Sequence, residues 1–408
     1  MPSNEPSRAK LRGHMPGLDG LRGSMLLLVL TAHFYYLTHG AVQPVDQVLF
    51  HLRESGWFAM DVFFVMSGLL ITGILLDSKE RPRFFKNFYI RRFLRIFPIY
   101  YATLFAVFVV LPRLDVVDPA AVREMLSVQK WYWSYLTNFL VATTQSTNSL
   151  VDYTRHLWSL AVEEQYYLIW PLVVYSCSRR RLIQCCLVLI AGALVFRCVG
   201  VAVDMPARAL YMLTFSRMDS LALGSLLAVL VREPGWLDLF VRWAWPVVRA
   251  VAALGVLVIL ATGELSAYRP GMQSIGYTVV AFGAAGLVII AATSGPETRA
   301  GRFFHHPIFI QLGVVSYATY VTHTFVYLVI QRELPFLTRL PLVAGYGWPA
   351  SVARMLVLMA ASIAVGFLSW HLLEKHALKL KDYFATSSRP EVTVTSRPVP
   401  PVVSPTSG

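Results

Sequence analysis

Negative charge is scarce in this chain: 23 acidic residues stand against 36 Lys and Arg, and the four charged types make up only 14% of its 408 residues. A soluble domain carries nearer a quarter, so most of this sequence is not composed to face water. Glycine-rich phosphate loops of the Walker or Rossmann type are absent, as is any internal repeat, which removes those routes to nucleotide binding. Only four cysteines occur, Cys177, Cys185, Cys186 and Cys198. Their spacing fits neither a disulfide framework nor a metal site, so they read as small apolar packing residues and no metal is expected. No block between the apolar stretches has room for a soluble catalytic domain. Any chemistry must therefore be built from helices and their loops.

What the chain has instead is apolar runs. Hydrophobic residues reach 56% and mean hydropathy is +0.55, concentrated in blocks long enough to cross a bilayer. The reading is an all-α integral membrane protein with about ten transmembrane helices: 24–37, 57–76, 96–111, 157–175, 182–203, 213–231, 244–262, 275–293, 307–330 and 352–373. The first is short and is not expected to be a cleaved signal, because Phe34-Tyr35-Tyr36 follows it rather than a small-residue site. Lys79, Arg81, Arg83, Lys86, Arg91, Arg92 and Arg95 crowd one loop, and Arg179, Arg180, Arg181, Arg232, Arg299, Arg302, Lys375, Lys379 and Lys381 fall in loops of the same parity. The positive-inside rule puts these, with Arg8, Lys10 and Arg12, in the cytoplasm, and both termini with them. The net charge of +13 then reflects topology, not a nucleic-acid partner.

Three regions follow: a polar cytoplasmic segment over 1–17, a membrane domain over 18–375, and a Ser/Thr/Pro-rich cytoplasmic tail over 376–408, disordered in its composition from about Ala385. A longer external segment, about 112–155, contains Lys130-Trp131-Tyr132-Trp133-Ser134-Tyr135. That aromatic cluster suits the membrane interface, or alternatively a groove that packs against sugar rings.

An ionisable side chain at membrane depth is costly and marks a functional candidate. In the first span Arg22 and His33 are eleven residues apart, close to three helical turns, which puts them on one face about 16 Å apart. Asp61 lies near the outer end of the second span. On the fourth, His156, Ser159, Glu163, Tyr167 and Trp170 share a face, beginning beside Trp158; the sixth opens with Arg217-Met218-Asp219-Ser220; the ninth presents Ser316, Tyr320, His323 and Tyr327 on one face. Ser67, Ser159 and Tyr320 read as helix–helix hydrogen bonds, whereas Asp61, Glu163 and Arg217 fit a structural bridge as well as catalysis. Arg92 and Arg95, three apart on the third helix, are either positive-inside charges or a fork for phosphates.

These segments, in order, resemble the membrane-bound acyltransferase family 3 over nearly the whole chain. The resemblance rests on Leu18-Asp19-Gly20-Leu21-Arg22-Gly23 with His33, on Asp61-Val62-Phe63-Phe64-Val65-Met66-Ser67-Gly68, and on Arg91-Arg92-Phe93-Leu94-Arg95-Ile96-Phe97-Pro98. It continues through Trp158-Ser159-Leu160-Ala161-Val162-Glu163 with Tyr166-Tyr167, Arg217-Met218-Asp219, Ser316-Tyr317 with His323, and Glu374. Met66 stands where leucine is usual, and Lys375 where proline is frequent. Some relatives carry a further hydrolase-like domain, which this sequence is not expected to have.

The resemblance implies an acyl-CoA-dependent O-acyltransferase, usually an O-acetyltransferase, of the bacterial cell (inner) membrane. Acetyl-CoA or another acyl-CoA would be the cytoplasmic donor, and a hydroxyl of a cell-surface or exported carbohydrate the acceptor. Arg22, Arg92 and Arg95 would hold the CoA phosphates, with the thioester reaching His33 at mid-membrane. His33 would be general base, with an acyl-histidine as the alternative; Asp61 or Glu163 would orient it or bind the acceptor. Trp158, Arg217, Asp219 and His323 complete the expected substrate-binding set. A small-molecule or lipid-linked acceptor, a transporter without acyl chemistry and a non-catalytic scaffold remain as alternatives. Oligomeric state is not legible.

Overall fold

The computed structural model describes residues 14–36, 44–113, 118–143, 153–336 and 347–380. The expected polar N-terminal segment up to residue 13 and the tail from 381 lie outside these residues. The described chain is helical, with no strand among the described residues. Its helices are α1 (Pro16–Phe34), α2 (Pro44–Ser55), α3 (Ala59–Ser78), α4 (Phe84–Phe105), α5 (Pro119–Trp133), α6 (Thr137–Thr143), α7 (Trp158–Ser176) and α8 (Arg179–Ala202). They continue as α9 (Ala207–Met212), α10 (Thr214–Leu230), α11 (Trp236–Thr262), α12 (Tyr277–Thr293), α13 (Arg299–Phe304), α14 (Pro307–Glu333), α15 (Trp348–Ser369) and α16 (Lys375–Lys379).

Eight helical stretches among the described residues are long and apolar enough to cross a membrane: Pro44–Ser78, Phe84–Arg113, Arg179–Ala202, Ala207–Leu230, Trp236–Thr262, Met272–Thr293, Pro307–Glu333 and Trp348–Lys379. The other two expected spans lie on α1 and α7, each 19 residues long. Their lower hydropathy comes from Asp19, Arg22 and His33 on one and from Glu163, Glu164 and Gln165 on the other. Large apolar side chains stay uncovered along these helices, including Leu254, Val256, Leu257 and Leu260 on α11. A bundle immersed in lipid, with no water to hide from, leaves such side chains outward. This is a multi-pass integral membrane protein.

Two helix pairs form the frame, α1 against α14 and α3 against α10. Both are held by glycines. A Cβ added at Gly23 would collide with the Phe309 carbonyl, and one at Gly313 with the Asp19 carbonyl; Gly68 and Gly224 meet Leu221 and Val65 in the same way. Backbones in contact gain dispersion energy that water-driven burial cannot supply in lipid. Three glycines of the sequence motifs, Gly20, Gly23 and Gly68, are therefore packing residues.

The basic loops converge at one end of the bundle. Lys79 Nζ donates to the Val174 and Cys177 carbonyls at 2.8 and 2.7 Å, capping the C-terminus of α7. Arg179 pairs with Glu233 at 2.7 Å and Arg232 with Asp77 at 2.8 Å. Helix α4 begins at Phe84, earlier than the apolar run from 96, so Lys86 and Arg91 ride on its first turns rather than in the loop, and Arg92 and Arg95 follow on the same helix as expected.

In the aromatic cluster Trp131 and Trp133 stay half-buried while the tyrosines turn inward. Tyr132 and Tyr135 are buried, Tyr135 stacks on Tyr100 at 4.2 Å, and Tyr100 and Tyr101 donate to the Tyr132 and Trp133 carbonyls. The cluster locks the end of α5 onto α4.

Candidate active site

The first span starts earlier and stops earlier than its apolar run implies. Helix α1 covers Pro16–Phe34, with Tyr35 already extended, so His33 sits in the last turn and not at mid-helix. The physical reason is the glycine ridge: Gly17, Gly20 and Gly23 must be helical to face their partner backbones. Arg22 and His33 remain on one continuous helix, about 16 Å apart.

His33 opens into a cavity of about 880 Å³. Its walls come from Tyr36, Arg53 and Glu54, Trp57 and Met60, His156 and Trp158, Tyr211 and Met212, and Tyr268, with Tyr320 and Tyr327 from α14. Aromatic faces predominate, with a few charged groups among them, the composition of a site for a polar ring compound. Two histidines, His33 and His156, line it, and a third, His323, is buried behind them. His33 Nδ1 lies 2.7 Å from His323 Nε2, with the ring planes within 15° of parallel and the centroids 4.8 Å apart, so the rings meet edge to edge. His156 meets His323 edge-on at 4.7 Å. His323 is fully buried and His156 nearly so, whereas His33 is partly open.

One helical turn along α7 lies a second polar group. Ser159 pairs with Tyr320 at 2.6 Å beside the histidines. Four residues on, Glu163 accepts from Ser67 at 2.8 Å and from Tyr167 at 3.1 Å. The Tyr167 ring carries the Arg92 guanidinium at 4.8 Å, a cation–π contact. Arg95 is exposed and lies within electrostatic reach of Arg22, Arg92, Asp19 and Glu374. Arg22 is bound to Asp19 at 2.7 Å, and Asp19 also contacts His14. The expected basic trio is thus brought to one region, near the carboxylate of Glu163. Glu374 is buried, accepts from Ser369, and its turn packs on α4.

Asp61, Arg217 and Asp219 go elsewhere. Asp61 pairs with Arg217 at 2.8 Å and accepts from Ser220 at 2.6 Å. Asp219 pairs with Arg197 at 2.8 Å and accepts from Thr278 at 2.7 Å. All four charged side chains are sealed from solvent, and the Arg217 guanidinium is boxed by Tyr277, Tyr211 and Phe64 at 4.5–5.8 Å. Tyr211 and Trp158 separate this network from the cavity, packed on each other at 5.0 Å. Among the described residues, neither Asp61 nor Glu163 hydrogen-bonds His33; its partner is His323, expected as a substrate contact.

Sequence reasoning left out Arg197, although a lone arginine within an apolar run was the available signal. It also left out Arg53, Glu54, Trp57, Tyr211 and Tyr268. Helix α2, which brings Arg53 and Glu54 to the cavity, is too polar and short to be found by apolar run length. Among the described residues no group of histidine, cysteine and acidic side chains has metal-site geometry.

Comparison with known proteins gives a consistent answer. The family model for an acyltransferase domain matches residues 15–371. The chain is 26% identical to the peptidoglycan O-acetyltransferase OatA of Listeria monocytogenes over 93% of its own length and 60% of that protein. It is 27% identical to the putative peptidoglycan O-acetyltransferase YrhL of Bacillus subtilis, over 89% of this chain and 54% of the relative. With the O-acetyltransferase OatA of Staphylococcus aureus it shares 26% identity over 76% of this chain and 50% of the other. The chain therefore spans about half to three-fifths of the length of these relatives. No solved structure matches it.

Proposed function

The chain belongs to this acyltransferase family, and from that premise we propose that it is an O-acetyltransferase carrying an acetyl group from cytoplasmic acetyl-CoA to a hydroxyl of a cell-envelope carbohydrate. The observation that carries the reading is His33, a partly open imidazole on the floor of an aromatic cavity, one helix-length from a basic cluster. A pantetheine arm is slim and about as long as the rise from Arg22 to His33. Arg22, Arg92 and Arg95 would hold the phosphates of the donor at the inner end. The aromatic walls, Trp158 among them, would stack on the sugar rings of the acceptor, and the names of the relatives favour a glycan of the peptidoglycan type.

In this mechanism His33 takes the proton of the acceptor hydroxyl as its oxygen attacks the thioester carbonyl. Glu163, held by Ser67 and Tyr167, stands between the phosphate-binding end and the histidines, as a polar lining for the donor arm. Asp61, Arg217 and Asp219 act from behind the wall, keeping Tyr211 and Trp158 in place. The protein would lie in the inner membrane with both termini in the cytoplasm.

The test is release of CoA thiol from acetyl-CoA by the purified, reconstituted protein, with and without a glycan extract. Wild type is expected to turn over faster with extract. His33→Ala is expected to lose at least a hundred-fold in rate while inserting and eluting as wild type. Undiminished turnover by that variant would remove His33 from the chemistry.

A further inference from the structure

The two ring nitrogens of a histidine are distinguished by their partners, and here the partners leave no choice. His323 Nδ1 lies 2.7 Å from the Tyr320 carbonyl oxygen. A carbonyl only accepts, so the proton of a neutral His323 sits on Nδ1 and its Nε2 carries a lone pair. That Nε2 is the atom facing His33 Nδ1 at 2.7 Å, so His33 must donate from Nδ1. The lone pair of His33 is then on Nε2. The third ring cannot compete: His156 Nε2 donates to the Val321 carbonyl at 3.2 Å, and its Nδ1 accepts from Thr324 Oγ1 at 3.3 Å.

We infer that His323 is a positioning residue that fixes the tautomer and ring angle of His33, leaving His33 Nε2 as the base atom, and that a neutral imidazole does here what a carboxylate does in other histidine-based sites. The inference rests on the proposed role of His33. In the step it describes, the acceptor O–H proton passes to His33 Nε2 while the acceptor oxygen bonds to the acyl carbon. The C–S bond then breaks, and the same proton passes from Nε2 to the departing CoA sulfur, giving ester and free thiol with His33 neutral again. A carboxylate beside Nδ1 would hold the imidazolium; a neutral ring with its own proton committed to the Tyr320 carbonyl stabilises it less and favours return of the proton to sulfur.

Two substitutions separate positioning from packing. Gln at position 323 can present an amide oxygen where Nε2 stood, facing His33, but gives up the bond to the Tyr320 carbonyl. Asn keeps a donor near Nδ1 and gives up the acceptor. For positioning, His323→Gln is expected to stay within about tenfold of wild-type kcat, and His323→Asn to fall on the order of a hundred-fold at similar KM for acetyl-CoA. A purely structural role reverses that order, and equal activity of both with wild type overturns the inference outright. In nanodiscs, ¹⁵N-histidine spectra of the full chain should report His33 as the Nδ1–H tautomer, assigned by its loss in His33→Ala; an Nε2–H signal refutes the assignment. An active His33→Ala would instead sink the underlying reading of the site, so the two failures are distinguishable.

Discussion

Arg217 and His33 are both ionisable side chains set in an apolar bundle, in opposite surroundings. Arg217 has a carboxylate partner in Asp61 and aromatic rings on its remaining sides, and no route to solvent. His33 has one nitrogen committed to His323 and stands partly open at the floor of a large cavity. Both residues are costly at membrane depth, so cost alone does not separate a brace from a reaction centre. Access does. A sealed ion pair has its charges countered inside the bundle but is closed to anything that enters, whereas an imidazole facing a cavity has an atom to offer.

The comparison is broken most forcefully from the sealed side. Arg217→Met should strand the Asp61 carboxylate, and losing one partner of a buried pair costs about 3–5 kcal/mol. Loss of the monodisperse peak in detergent, with activity lost only in proportion to folded protein, is the outcome expected. Adding Asp61→Leu should recover much of the folded fraction, because an apolar pair of similar volume is nearly neutral; a double variant as unstable as the single would mean that the network does more than neutralise charge. Glu163→Gln tests the ground between the two regions. The amide keeps the size of the side chain, so stability should hold while turnover drops by about tenfold if the carboxylate serves the reaction path. Unchanged turnover would move Glu163 to the side of the braces. Trp158→Ala should give the smallest effect of the series, a rise in KM for the glycan acceptor of about threefold with kcat near wild type, as expected for lost stacking area. A matching fall in kcat would show that the wall positions the reacting hydroxyl.

Much of this architecture was legible from apolar runs, since a membrane span announces itself by length. Where the runs misled, the cause was local. Helix α1 begins at Pro16 because Gly17, Gly20 and Gly23 pack as helix, although the hydropathy rises only after Ser24. Arg22, Arg92, Arg95, Glu163 and His33 could be singled out as charges or imidazoles at depth. Their partners could not, because Asp61 meets Arg217 and His33 meets His323 across sequence separations that no local pattern encodes. The aromatic run at 131–135 was visible, but its use as a clamp on Tyr100 depends on how α5 turns back over α4. Helix α2 is nearly as polar as apolar, so a search for long apolar runs passes over it although its apolar residues do gather on one face.

The glycine contact between α1 and α14 has a further meaning for the two imidazoles. Gly23 and Gly313 mark where the backbones touch, and His33 and His323 each lie ten residues further along helices that run the same way. The pair works as a caliper: the joint is at the glycines and the jaws, about 15 Å away, are the rings. An insertion of one residue in either arm would swing its ring by about 100° and advance it by about 1.5 Å. The same insertion in both arms would keep them level. Chain length between each glycine and its histidine is therefore a measured quantity in this protein: the two lengths must match, and matched changes keep the rings facing only when they add about whole turns.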